Sequence, residues 1–223
     1  MNLNHHPNEA LLLDYASGSL SETWELIIAT HLALCPSCRS IVSNWETFGG
    51  GMLNSVKPIS VNAELINNVI SRIEEPLEPT KQIDSVVGED KNTFAPTILP
   101  QPLRSYIGRD VSMIHWKRLG FGAYQFPISV KEDGVTAKLL KIPAGSPVPE
   151  HSHCGKELTL VLSGAYNDVT GTYKRGDFQE ADEELDHQPH AADNEDCICL
   201  TVTDAPLRFK SLTVKMLQPI LGI

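Results

Sequence analysis

The stretch His31-Leu32-Ala33-Leu34-Cys35-Pro36-Ser37-Cys38 places three metal-ligand side chains within eight residues. A histidine and a cysteine four residues apart lie on one side of a helix. Cys35 and Cys38 are separated by two residues, a spacing common among zinc thiolate pairs. Pro36 suits the first position of a new helix. That leaves Cys35 at a helix N-terminus, where free N–H groups favour a thiolate. A tetrahedral site needs one more donor, and His6 or His5 is the available supply. The pattern predicts a structural zinc; its bland competitor is two free thiols beside a surface histidine.

Outward from this stretch, the first half of the chain reads as helices. Pro7 and Asn8 open a short one through Leu11, Leu12 and Tyr15, which Gly18 ends. Ser19 with Glu22, or Ser21 alone, starts a second carrying Leu20, Trp24, Ile27, Ile28 and Leu32 at helical spacing. A third begins at Pro36, passes Ile41, Val42, Trp45 and Phe48, and is expected to stop at Gly49-Gly50-Gly51. Helices this short bury little apolar surface, so a metal contributing folding energy is in keeping with them. Residues 52–60 read as a connector. A short amphipathic helix with Leu65, Ile66, Val69, Ile70 and Ile73 follows, capped by Asn62. Its apolar stripe needs a cover, either from this chain or from another protein. From Glu74 to about Gln101 the chain is rich in Pro, Glu, Thr and Asp and loses its periodicity, as a linker does.

Charge narrows the partners. The chain carries 28 acidic and 18 basic side chains over 223 residues, a formal charge of −10. Residues 1–48 contain Glu9, Asp14, Glu22, Glu25 and Glu46 against a single Arg39. That balance works against direct nucleic-acid binding, which needs a basic surface, and suits a basic protein partner. No apolar run approaches the length of a membrane span and no secretory leader is apparent. The expectation is a cytoplasmic protein with no membrane contact. Five cysteines do not form a disulfide framework, and a reducing compartment keeps Cys35 and Cys38 free for metal.

Beyond Tyr106 short strands broken by Gly and Pro take over, at 113–116, 123–126, 135–142, 157–162, 197–202 and 207–212. They predict an all-β sandwich or barrel. Its chemistry concentrates in His151-Ser152-His153-Cys154-Gly155-Lys156-Glu157. On a strand His151 and His153 point to the same face. Glu157 brings a carboxylate to the same metal after a turn, and His187 or His190 is available as a fourth donor. Such a nitrogen and oxygen set suits Zn, Fe, Mn or Ni. Cys197 and Cys199 share a strand face and read first as small core residues, with redox sensing the less favoured role. The eight acidic residues from Glu180 to Asp196 read mostly as a solvated loop.

These residues carry two resemblances. Gly145, five residues, His151-x-His153, three residues, Glu157, six residues and Gly164 resembles the complete first motif of the cupin family. Gly176 and His187 keep the spacing of the second motif, which implies His187 rather than His190 as the fourth ligand. Asp182 and Glu184 stand where that family usually has Pro and Gly. The first 48 residues resemble the zinc-binding anti-sigma domain, with His6, His31, Cys35 and Cys38 in its ligand positions. The combination, with the HHPNEALLLDYASGSLSE opening and the Leu217–Gly222 ending, is similar to ChrR-type anti-sigma factors.

That resemblance implies an α+β two-domain protein, a small zinc-bound all-α bundle followed by an all-β cupin barrel. The expected boundaries are a helical domain at 1–75, a linker at 76–104 and a cupin at 105–223. The implied function is that of a non-enzymatic repressor. It sequesters an extracytoplasmic-function sigma factor and releases it under singlet oxygen or organic hydroperoxide, with room for a small-molecule ligand in the cupin. The rival is a metal-dependent cupin dioxygenase with a helical regulatory domain.

Overall fold

The computed structural model describes residues 3–62, 64–74, 97–120, 122–130 and 134–210. The Leu217–Gly222 ending and most of the expected linker lie outside the described residues. The chain divides into two compact units, one of residues 1–46 with 96–223 and the other of residues 47–95.

The first unit opens with α1 (Glu9–Ser17). Asn8 caps it by accepting from Leu11 N, and Gly18 ends it at φ 68°, a left-handed conformation that costs glycine nothing. Helix α2 (Glu22–Leu34) starts at Ser21, not at a Ser19 capping box, because Ser19 Oγ is engaged with Ser17 Oγ at 2.7 Å. Helix α3 (Pro36–Asn54) follows at once. It does not stop at Gly49-Gly50-Gly51 as expected from the sequence. Glycine costs a helix only about 1 kcal/mol per residue, and nothing crowds these three positions, so the helix runs on until the turn at Ser55 and Val56.

Helix α2 is buried nearly all round, at Thr23, Leu26, Ile27, Ile28, Thr30, His31 and Leu32, because it is sandwiched. A further helix, α5 (Gln101–Ile107), packs on it, with Tyr106 donating to Glu22 at 2.7 Å; part of α5 falls within the stretch expected to be linker. Against α2 also lies a six-stranded antiparallel sheet, ordered β1 (Lys117–Gly120), β2 (Ala123–Ile128), β3 (Thr136–Ile142), β10 (Cys197–Thr203), β5 (Glu157–Ser163) and β8 (Phe178–Ala181). Residues 111–113, ahead of the sheet, form a 3-10 turn capped by Asp110 rather than the start of a strand.

The period of two explains the central strands. Ile198, Leu200 and Val202 of β10 join Leu158, Leu160 and Leu162 of β5 in one apolar core with Leu26, Ile27 and Ile28 of α2. The alternate residues Cys199, Thr201, Thr159 and Lys138 face the other way, into the cupin interior. Being covered on both faces, β10 is buried throughout, as a central strand of near-continuous apolar character should be. That interior is closed by the pair β4 (His151–His153) with β11 (Leu207–Phe209), and by the three strands β7 (Gly171–Lys174), β6 (Ala165–Asp168) and β9 (His190–Ala191). The cupin is thus built from three sheets rather than one closed barrel.

In the second unit, α4 (Glu64–Glu74) is capped by Asn62, whose side chain accepts from Glu64 N at 2.9 Å. Its stripe of Leu65, Ile66, Val69, Ile70 and Ile73 is exposed. Among the described residues no single helix is long and apolar enough to cross a membrane.

Candidate functional site: two histidine-rich clusters

The turn from α2 to α3 makes the first cluster. His31 sits in the last turn of α2, Cys35 is the junction residue, and Cys38 lies one turn into α3, so Cys38 N–H points at Cys35 Sγ (3.4 Å). The residues ahead of α1 bring in the fourth side chain. His6 Nδ1 lies 3.4 Å from Cys35 Sγ and 3.3 Å from Cys38 Sγ, and His31 Nε2 is 3.3 Å from Cys38 Sγ. All four donor atoms fall within 4.8 Å of one another. His5, the alternative donor, faces elsewhere: its ring packs against Tyr173 at 4.2 Å.

Three of the four are shielded from water, with His31, Cys35 and Cys38 each at most 1% exposed, while His6 reaches in from the surface. Burial pushes the Cys38 thiol up to about 12, helped by the Cys35 sulfur beside it. Burial, followed by the proximity of His6, holds His31 down at about 4. With His6, this neutral imidazole and pair of sulfurs form a four-donor group able to hold a metal ion, of the kind that suits tetrahedral coordination. Metal binding would also supply the charge that a second thiolate lacks.

The β domain supplies the outer contacts of this cluster. His31 Nδ1 donates to the Gly176 carbonyl at 3.0 Å, fixing the imidazole so that Nε2 faces the sulfurs. Asp177, fully buried, accepts from the backbone N–H groups of Asn4 (2.8 Å) and His5 (3.2 Å). Glu180 accepts from Asn8 at 2.7 Å. The residues that tether the start of the chain are therefore acidic side chains in and just ahead of β8.

The second cluster lies inside the cupin. His151 and His153 share the inner face of β4, and His187 joins them through the bridge between the backbones of 151 and 187. Each ring has its Nδ1 on an oxygen: Pro149 O at 2.8 Å for His151, Asp182 O at 3.2 Å for His153 and Asp168 Oδ2 at 2.8 Å for His187. The proton therefore sits on Nδ1 in all three, and every Nε2 offers a lone pair. His151 Nε2 and His187 Nε2 then face each other at 3.1 Å, while His153 Nε2 is buried without a hydrogen-bond partner. Two acceptors in contact and an orphaned third are unfavourable unless a cation stands among them. The donor atoms lie within 4.8 Å of one another.

Glu157, expected as a fourth donor, stands off from the gathered nitrogens. It lines the same cavity, with Oε1 accepting from Thr159 Oγ1 at 3.2 Å. His190 is exposed, its Nδ1 on the Ala191 carbonyl. Cys197 and Cys199 are buried, with their sulfurs 3.5 Å apart on the inner side of β10.

The residues that sequence reasoning missed are those around the ligands. Asp168 accepts from His187, from Gln179 Nε2 at 2.6 Å and from Thr170 N and Oγ1 at 2.7 and 2.5 Å. Burial by itself would raise its pKa, but these hydrogen bonds outweigh it and hold the carboxyl below the usual carboxylate range. In the sequence Asp168-Val169-Thr170 reads only as a turn, since nothing local indicates that the folded strand sets it against His187.

Comparison with known proteins gives one consistent answer. The family profile described as ChrR Cupin-like domain matches residues 105–206. The anti-sigma-E factor ChrR of Cereibacter sphaeroides is 38% identical over 226 residues, covering 100% of both chains. A crystal structure of Rhodobacter sphaeroides SigE in complex with the anti-sigma ChrR superimposes with a TM-score of 0.77 at 36% identity. That match covers 91% of this chain and 100% of the other.

Proposed function

The chain belongs to the ChrR family of anti-sigma factors, and from that premise we propose that it sequesters an extracytoplasmic-function sigma factor in the cytoplasm and releases it under oxidative stress, singlet oxygen or organic hydroperoxide being the expected signals. The observation that carries the reading is the exposed stripe of α4, in which Leu65, Ile66, Val69, Ile70 and Ile73 are each 47% exposed or more. A contiguous apolar face of this kind marks a protein contact, and the acidic character of residues 1–48 suits a basic partner. Zinc held by His6, His31, Cys35 and Cys38 braces the turn between α2 and α3. Its role is structural, because all four positions are protein. The cupin histidines, with Glu157, hold Zn, Fe, Mn or Ni as the responsive centre, and the protein is not an enzyme.

The contacts between the two clusters support a single device. Gly176 and Asp177 hold His31 and the start of the chain. Two residues beyond Asp177, within β8, Gln179 donates to Asp168, which in turn holds His187. A change at the histidine triad therefore has a short covalent and hydrogen-bonded route to the helices. The apolar cavity beside the triad is what favours the rival reading, a cupin dioxygenase, and turnover of an organic substrate by the Fe-loaded chain would establish it.

The test is co-expression with the sigma factor. A stoichiometric complex is expected for the wild type. Cys35→Ser with Cys38→Ser should abolish it, whereas His151→Ala with His153→Ala should keep the complex but fail to release sigma under stress. A thiol variant that retains both helicity and full sigma affinity would defeat the proposal.

A further inference from the structure

Strand β3 places a lysine in an apolar wall. Lys138 is 9% exposed and lines a cavity of about 90 Å³ beside His151 and His187, alongside Leu140, Leu207 and Phe209. Its strand partners there are uncharged, since Lys138 is opposite Thr201 and Thr201 is opposite Thr159. No hydrogen bond or ion pair engages its ammonium among the described residues. Two other lysines are ion-paired, Lys141 with Asp196 at 3.0 Å and Lys210 with Glu150 at 2.7 Å. The lysine stem is buried in the wall, and its ammonium, open to the cavity without a fixed ion-pair partner, is placed to meet a counter-charge that enters the cavity.

Glu157 is the carboxylate in the same wall and acts on Lys138 only at a distance; burial lowers the lysine's pKa more than Glu157 raises it. Once Glu157 serves as a ligand beside the three histidines, Lys138 is left without a partner. One cation among apolar walls, with the Thr159 and Thr201 hydroxyls already donating to Glu157 Oε1 and the Lys138 carbonyl, matches a singly charged head group with a short tail. A phosphate, with about two charges and three strong acceptor oxygens, would need more donors than this wall holds.

We propose that the cupin cavity binds a small aliphatic carboxylate, with its head group on Lys138 Nζ and its tail against Leu140, Leu207 and Phe209. This deepens the reading of the cupin as the responsive half and rests on it. At about 90 Å³ the cavity is below the roughly 150 Å³ that accommodates benzene in an engineered protein core, so the acid is smaller than benzene, about two or three carbons in all.

The experiment uses the metal-loaded full chain, labelled with 13C at the lysine ε-carbon and titrated with propionate. The Lys138 signal should shift saturably. Propan-1-ol, which has the same tail without the charge, should bind at least tenfold more weakly. Lys138→Met, with unchanged metal content, should weaken propionate at least tenfold, while Lys138→Arg retains part of the affinity. A Lys138 signal that propionate leaves in place, or equal affinity for the acid and the alcohol, would overturn the proposal. Both are read on the wild type and need no variant to fold. Metal content and sigma binding are measured on the same preparations. A chain that lacks either defeats the parent reading, and one that has both but ignores propionate defeats only this inference.

Discussion

Replacing Asp168 by Asn changes one atom and should disable the cupin cluster. The carboxylate accepts four hydrogen bonds, two at each oxygen, and its side chain is fully buried. An amide keeps one acceptor oxygen and presents an NH2 group in place of the other. With its oxygen towards Thr170, the NH2 meets His187 Nδ1, which must then become an acceptor. The imidazole proton moves to Nε2, the atom that faces His151 Nε2 at 3.1 Å, and the ligand lone pair is lost. With the amide turned round, its NH2 opposes Thr170 N–H, leaving buried donors unsatisfied at a cost of about 1–3 kcal/mol. Loss of a carboxylate that orients a ligand histidine typically lowers metal affinity about 10–100-fold, or about 1.4–2.8 kcal/mol. Chelator competition on the Co(II)-loaded full chain reads this directly. Thiolate-to-metal absorption identifies the His6, His31, Cys35 and Cys38 site, which should be unchanged, while the all-histidine site loses cobalt at lower chelator. Retention of cupin metal within threefold of wild type would show that Asp168 does not set the His187 tautomer.

Two further outcomes follow from burial and charge. Ile66→Asp with Ile73→Asp alters side chains that are 64% and 76% exposed. Thermal stability should stay within about 0.5 kcal/mol, while sigma affinity measured by calorimetry falls at least tenfold, each buried aliphatic side chain contributing roughly 1.5–3 kcal/mol when fully covered; unchanged affinity would remove α4 from the interface. In the metal-free chain, His31 is held at about 4 against an ordinary 6.5, so the unfolded state binds the extra proton within that window. Stability should be complete above pH 6.5 and fall by about 3 kcal/mol as pH drops to 4, seen as a lower denaturation midpoint that His31→Gln abolishes.

Much of the architecture is legible in local pattern because helices and metal pairs are local objects. Asn8, Gly18, Asn62 and the His31–Cys38 spacing describe caps and a turn whose geometry depends on neighbours a few residues away. The alternation His151-Ser152-His153 likewise states which two rings share a face. The choice of His6 over His5 was not legible from spacing. Adjacent residues on an irregular segment are separated only by what each meets, here the sulfurs for His6 and Tyr173 for His5. Nor was the burial of α2 on all sides legible, since a helix periodicity reports one apolar face and the second was supplied by β5 and β10.

By itself, then, the sequence determined the histidine and cysteine members of two candidate metal clusters, the helix-then-strand order and the acidic balance of residues 1–48. These follow from residue type and short-range periodicity. Tertiary structure alone decided that Gly176 and Asp177 brace the first cluster, that Asp168 orients His187, that Glu157 stands away from the gathered nitrogens and that Lys138 faces a cavity unpaired. The physical reason is the same in each case. A hydrogen-bond partner or a counter-charge is chosen by proximity in the folded chain, and residues 19 and 145 positions apart in sequence come within 3.0 Å only when the sheet is built.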